Sequence, residues 1–171
     1  MTAIEESGAA GARSGKSTQD GDQLSVGDAT WALTLPHLPY ADAVHNAVLA
    51  RGLVPGAVEA GVREEYSGRA ELYLRLAWPP GHPALAEPVR RDGLTLAWAP
   101  LSAWSAHDRH GDEVLLDVPE LAAPELIADA AAHYVRHCLS SPWVVPVQGR
   151  WEHAGRLDAA LGVHEEREVE W

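Results

Sequence analysis

One stretch of the chain has the residue spacing of a phosphate-binding loop. In AGARSGKST, residues 10–18, Ala10 precedes Gly15, Lys16 and Ser17 with the spacing of that motif. A working loop lies between a buried strand and a helix whose N-terminal amides bind the phosphates. The flanking sequences IEESGA and TQDGDQ have the periodicity of neither element. We therefore expect no nucleotide site here.

Lys16 is also the only lysine of the chain. Schiff-base chemistry and pyridoxal phosphate attachment need a lysine amine held in a structured pocket. This lysine lies in a Gly/Ser-rich stretch, so neither chemistry is expected. The sequence predicts no cofactor.

The densest group of potential metal ligands is HDRHGDE, residues 107–113. His107, His110 and Asp112 would offer nitrogen and oxygen ligands to zinc or a similar ion. Polar, Gly-containing sequences also form most hairpin connections, and Arg109 would place a positive charge beside a bound cation. The loop is therefore either a metal site or a solvated turn.

A second histidine pair, His133 and His137, has the spacing of one helical face. No glutamate of the zinc-protease type lies between them, so the pair is expected to favour the helix C-terminus through its dipole. Cys138, the only cysteine, falls on the predicted apolar stripe of that helix. We expect it to be a buried thiol with a raised pKa, not a nucleophile.

Tryptophan is unusually frequent, with seven residues in a chain that has no phenylalanine. Trp31, Trp78, Trp98 and Trp104 lie in predicted strands and are expected to fill the core. Trp143 and Trp151 lie in SPWVVPVQGRW, residues 141–151, where prolines exclude a central strand. We expect Trp143 to point inward and Trp151 to lie near the rim. Both are candidate partner-binding residues, because tryptophan is enriched at interaction hot spots.

The elements that must position these residues follow the order helix, strands, helix. Apolar residues recur at helical spacing from Pro39 to Gly52, and most clearly over 123–139. Alternating apolar residues predict strands at 69–78, 92–100, from 103 or 104 to 107, and 113–118, with a short strand possible at 31–35. A short helix is expected over 152–161. This order predicts an α+β fold with one antiparallel sheet of about four strands, flanked by an N-terminal and a C-terminal helix.

The predicted domain covers residues 27–162, between a flexible tail at 1–26 and an acidic tail at 163–171. Residues 1–26 have no apolar periodicity with which to add to a core. Deleting them is expected to leave the melting temperature unchanged, as measured by circular dichroism. A clear fall in the melting temperature would contradict this assignment.

Charge and apolar pattern narrow the classes of partner. The formal net charge is −12 at pH 7, and Arg90–Arg91 is the only pair of adjacent basic residues. Nucleic-acid and anionic-membrane binding are therefore disfavoured. No apolar run reaches the length of a membrane span, and residues 1–23 have no apolar core of the signal-peptide kind. We expect a cytoplasmic protein.

Three segments carry a family resemblance: PYADAVHNAVLARGL, RRDGLTLAWAPLSAW and LDVPELAAPELIADAAAHYV. Over roughly residues 39–138 the chain resembles small actinobacterial families of unknown function. Those families have a helix ending in an RGL-like cap, a Trp-bearing strand after an xDGL turn and a P-x-x-[ILV]-A-x-A helix. The element order is also similar to that of small secretion-chaperone-like domains. The resemblance implies a fold and carries over no site residues.

Two functions remain open from the sequence. The first is a non-enzymatic protein-interaction or accessory module, supported by missing catalytic motifs and by tryptophans outside the predicted core. Its partner would be a protein, and a homo-oligomer is possible. The alternative is a small metal-dependent or ligand-binding enzyme that uses the 107–113 loop.

Overall fold

A computed structural model describes residues 35–64 and 70–169. The first helix, α1, spans Leu38–Ala50, with Pro39 in its first turn. Its buried residues, Tyr40, Ala41, Val44 and Val48, share one face. The helix ends where Gly52 takes a φ of 73°, a left-handed conformation that glycine adopts without strain.

Five strands form one antiparallel sheet in the sequence order β1-β2-β3-β4-β5. Side chains alternate between two faces, one buried under helices and one that no described helix covers, called the open face below. On the buried face, Leu74, Leu76 and Trp78 of β2 lie beside Trp98, Leu96 and Leu94 of β3. The strand bounds are Ala57–Glu64 (β1), Ala70–Trp78 (β2), Leu94–Ala99 (β3), Ala103–His107 (β4) and Glu113–Leu115 (β5).

Three further helices complete the described chain. The one-turn helix α2 spans Glu87–Arg90, α3 spans Pro124–Tyr134, and α4 spans Ala154–Val169. Helix α3 packs against α1. The fold is therefore α+β, as the sequence predicts.

Aromatic side chains fill the centre of the core in the absence of phenylalanine. Trp78, Trp98 and Trp104 are all at most 1% exposed, which confirms the expectation for these three. Tyr40 contacts both Trp98 and Trp104 edge-on. Its hydroxyl donates to the Ala122 carbonyl at 2.9 Å and accepts from Trp104 Nε1 at 3.0 Å, so the polar atoms of these two rings are satisfied inside the core.

Some predicted bounds were wrong. Strand β1 was not predicted, because alanine, glycine and glutamate, which make up most of it, are depleted in strands. The 123–139 helix ends at Tyr134, and the short helix expected at 152–161 instead continues to Val169, into the segment assigned as an acidic tail. In the strand expected at 31–35, only Leu35 lies within the described residues.

Candidate functional site

The segment 142–148 lies between α3 and α4 and has no regular secondary structure, with bends at Pro146 and Val147. Two of its side chains, Val144 and Val147, are 81% and 73% exposed. No described residue hydrogen-bonds the backbone N–H of Val144, Val145 or Val147. The segment therefore presents apolar side chains and unpaired amides together.

Contacts at both ends hold this segment against the domain. Trp143 is half-buried, and its Nε1 donates to Asp129 Oδ2 at 3.1 Å. The other oxygen of Asp129 accepts from Arg51 at 3.1 Å, which ties the segment to the end of α1. At the far end, Gln148 Nε2 donates to the Asp117 carbonyl at 2.9 Å. The exposed valines thus lie between two fixed points.

The expected position of Trp151 was wrong. Trp151, expected at the rim, is only 8% exposed, and its ring lies 5.1 Å from that of Tyr40. Trp143, expected to point inward, does pack against the core, but it is only half-buried and so is the more exposed of the two. Trp151 lies in the core because its backbone is held on both sides. Its N–H donates to the Leu121 carbonyl, and α4 begins three residues later.

The potential ligands of the 107–113 loop contact different partners. His107 Nε2 lies 2.7 Å from Ser105 Oγ, whereas His110 Nε2 lies 3.1 Å from Asp92 Oδ1. The backbone N–H of Asp112 donates to Asp108, which closes the loop as a turn. Within residues 35–64 and 70–169, no group of three or more His, Cys, Asp or Glu side chains is placed to hold a metal ion.

A groove of about 530 Å³ lies on the open face of the sheet. Its floor includes Ala97 and the buried Ser105, and its sides include Arg75, His107 and Glu113. Ser105 and Glu113 both approach Nε2 of His107, with Glu113 at 3.6 Å. A catalytic triad requires the acid on the other ring nitrogen, so this arrangement does not activate the serine hydroxyl.

Comparison with known proteins gives no relative. No protein-family model matches the chain, and no curated protein or solved structure matches it significantly. The resemblance to actinobacterial families stays a prediction. None of the described helices is long and apolar enough to cross a membrane.

The expectation for Cys138 was wrong, because the helix ends four residues before it and leaves the thiol exposed. A hydrogen bond with Ser140 lowers its pKa instead of burial raising it. His133 Nε2 lies 3.0 Å from the Ser141 carbonyl oxygen. The phosphate-loop-like sequence at 10–18 lies outside the described residues.

Proposed function

We propose that this protein is a non-enzymatic interaction module that binds a partner protein through segment 142–148. The observation that carries the proposal is the exposure of Val144 and Val147 beside amides that have no partner among residues 35–64 and 70–169. Burying two valines against a partner is favourable, and an extended partner strand would pair with the amides.

The fixed ends of the segment support this role. The Trp143–Asp129 and Gln148–Asp117 hydrogen bonds hold the valines in place before any partner arrives. Prolines at 142 and 146 restrict the backbone further. A segment ordered in advance loses less conformational entropy on binding, which favours affinity.

Charge and composition support a protein as the partner. The net charge of −12 disfavours nucleic acid and anionic membranes as partners. We also propose a cytoplasmic location. The alternative, an enzyme that uses the 107–113 loop, has less support, because His107 and His110 contact Ser105 and Asp92 instead of a common centre.

Replacing both exposed valines by serine is expected to reduce partner binding at least about tenfold, since each buried valine contributes about 1.5–3 kcal/mol. The matched control replaces Leu101 and Leu115 by serine, since these side chains are similarly exposed at 75% and 66%. Each full-length variant is immobilised on a solid support and incubated with an extract of the source cells. The proteins that it retains are quantified by mass spectrometry.

The proposal predicts at least one protein that the wild type and the control retain and the Val144/Val147 variant loses. Melting temperatures of all three proteins should agree, because exposed substitutions have small effects on stability. Retention that does not depend on the two valines would contradict the proposal. Stoichiometric zinc, iron or manganese in protein purified without a metal-affinity tag would favour the enzyme instead.

A further inference from the structure

Strand β1 is a long edge of the sheet. It has eight residues, six of them exposed, and it pairs only with β2 among the strands of the described chain. The Leu116 N–H donates to the directly opposite Trp104 carbonyl, which fixes the phase of hydrogen bonding. In antiparallel ladders, alternate residues turn their backbone groups to opposite neighbours. The pattern can be followed strand by strand from β5 to β1, because the registers contain no interruption. It places the backbone N–H and C=O groups of Val58, Ala60 and Val62 on the side that faces away from β2.

The edge is apolar on one face and charged on the other. Val58 and Val62 lie on the helix-covered face yet are 39% and 43% exposed. Glu59 and Arg63 lie on the open face, where they pair with Arg75 at 3.6 Å and Glu71 at 2.6 Å on β2. An exposed edge with free backbone groups is a template for another strand.

We propose that β1 pairs antiparallel with β1 of a second copy of this chain, about a two-fold axis at Gly61. In this register Glu59 of each copy lies opposite Arg63 of the other, and Ala60 lies opposite Val62. All four residues with outward backbone groups, at 58, 60, 62 and 64, then have a partner across the axis. The sheet runs continuously through both copies.

Charge pairing favours this register over the one in which the two-fold axis lies at Ala60. Four charged side chains lie in a row on the open face across the interface. They are Arg75 and Glu59 of one copy, followed by Arg63 and Glu71 of the second copy, so the charge alternates in sign from each strand to the next. Opposite charges directly across a strand pair stabilise it. A two-fold axis at Ala60 would place Glu59 opposite Gly61 and leave the charges unmatched. A register shifted by one residue would place side chains of the open face opposite side chains of the helix-covered face.

Proline at an outward-facing position tests the pairing without touching the β1–β2 ladder. The outward N–H of Val62 has no described partner, so Val62→Pro removes a donor used only in the dimer. Leu115→Pro is the matched control, because the backbone of Leu115 also faces outward, at the β5 edge. Sedimentation velocity of the full chain is measured over a concentration series.

The wild type and Leu115→Pro are expected to form dimers, and Val62→Pro to dissociate at least about tenfold more readily. Its melting at low concentration, where every variant is monomeric, should resemble that of the control. A wild type that stays monomeric up to about 1 mM overturns the proposal. So does a dimer lost in Leu115→Pro and kept in Val62→Pro.

A charge exchange tests the register itself. Glu59→Arg and Arg63→Glu each place like charges opposite one another across the axis, so each variant alone should be monomeric. In a mixture of the two, both cross-pairs become opposite in sign, and heterodimers should form. A mixture that associates no more than its components overturns this register. Should Arg63→Glu unfold because Glu71 loses its partner, the proline pair decides the proposal alone.

Discussion

Trp151→Ala is expected to lower the free energy of unfolding by about 3–5 kcal/mol, the range for truncating a buried aromatic side chain. Trp151 is 8% exposed and packs 5.1 Å from Tyr40, so its removal leaves a cavity beside the central aromatic residues. Urea unfolding followed by circular dichroism measures the change.

Trp143→Ala is the matched comparison and should cost less. Its ring is only half-buried, and it contributes one hydrogen bond to a partly exposed carboxylate. The expected order is therefore a large loss at Trp151 and a smaller loss at Trp143. Equal losses, or the reverse order, would contradict the burial of Trp151 in the core.

Tyr40→Phe is expected to cost about 1–3 kcal/mol, although it removes a single oxygen atom. That oxygen bonds the Ala122 carbonyl and the Trp104 indole, and both would lose a buried partner. Tyr73→Phe is the control, because Tyr73 lines the open groove and its hydroxyl has no hydrogen-bond partner in the described chain. It should change stability by less than about 0.5 kcal/mol.

Comparison of the wild type with Tyr40→Phe also predicts how the free energy of unfolding changes with pH. Burial raises the pKa of Tyr40 above the ordinary value of 10.0. Above that pH the unfolded chain loses the phenol proton and the folded chain keeps it, so unfolding becomes more favourable as pH rises. The wild type should lose up to about 1.4 kcal/mol per pH unit relative to Tyr40→Phe. A stability difference that stays constant from pH 9 to about pH 11 would contradict the burial of this hydroxyl.

Elements with clear periodicity could be predicted from the sequence. The alternation of leucines with Trp78 located β2, and Pro39 with Gly52 located both ends of α1. Strand β1 was missed because its stability comes from pairing with β2 and not from burial. The end of α3 was misplaced because the apolar stripe continues to Cys138, past the turn at which the helix stops.

The candidate site was only partly predictable. The composition of SPWVVPVQGRW pointed to the segment that we now propose as the binding site, since proline, valine and tryptophan together predict an exposed apolar surface. Which side chains enter the core depends on contacts distant in sequence, such as those of Trp151 with Leu121 and Trp143 with Asp129. The same holds for His107 and His110, whose directions follow from Ser105 and Asp92.

The most direct test of the central claim places a photo-crosslinking amino acid at position 144 of the full chain, expressed in the source cells. Position 163 is the control, because Val163 is also exposed, at 50%, but lies on α4. We expect a discrete crosslinked protein from position 144 that is absent from position 163 and lost when Val147 becomes serine. Identical crosslinks from both positions, or none from position 144, would contradict an interaction through segment 142–148.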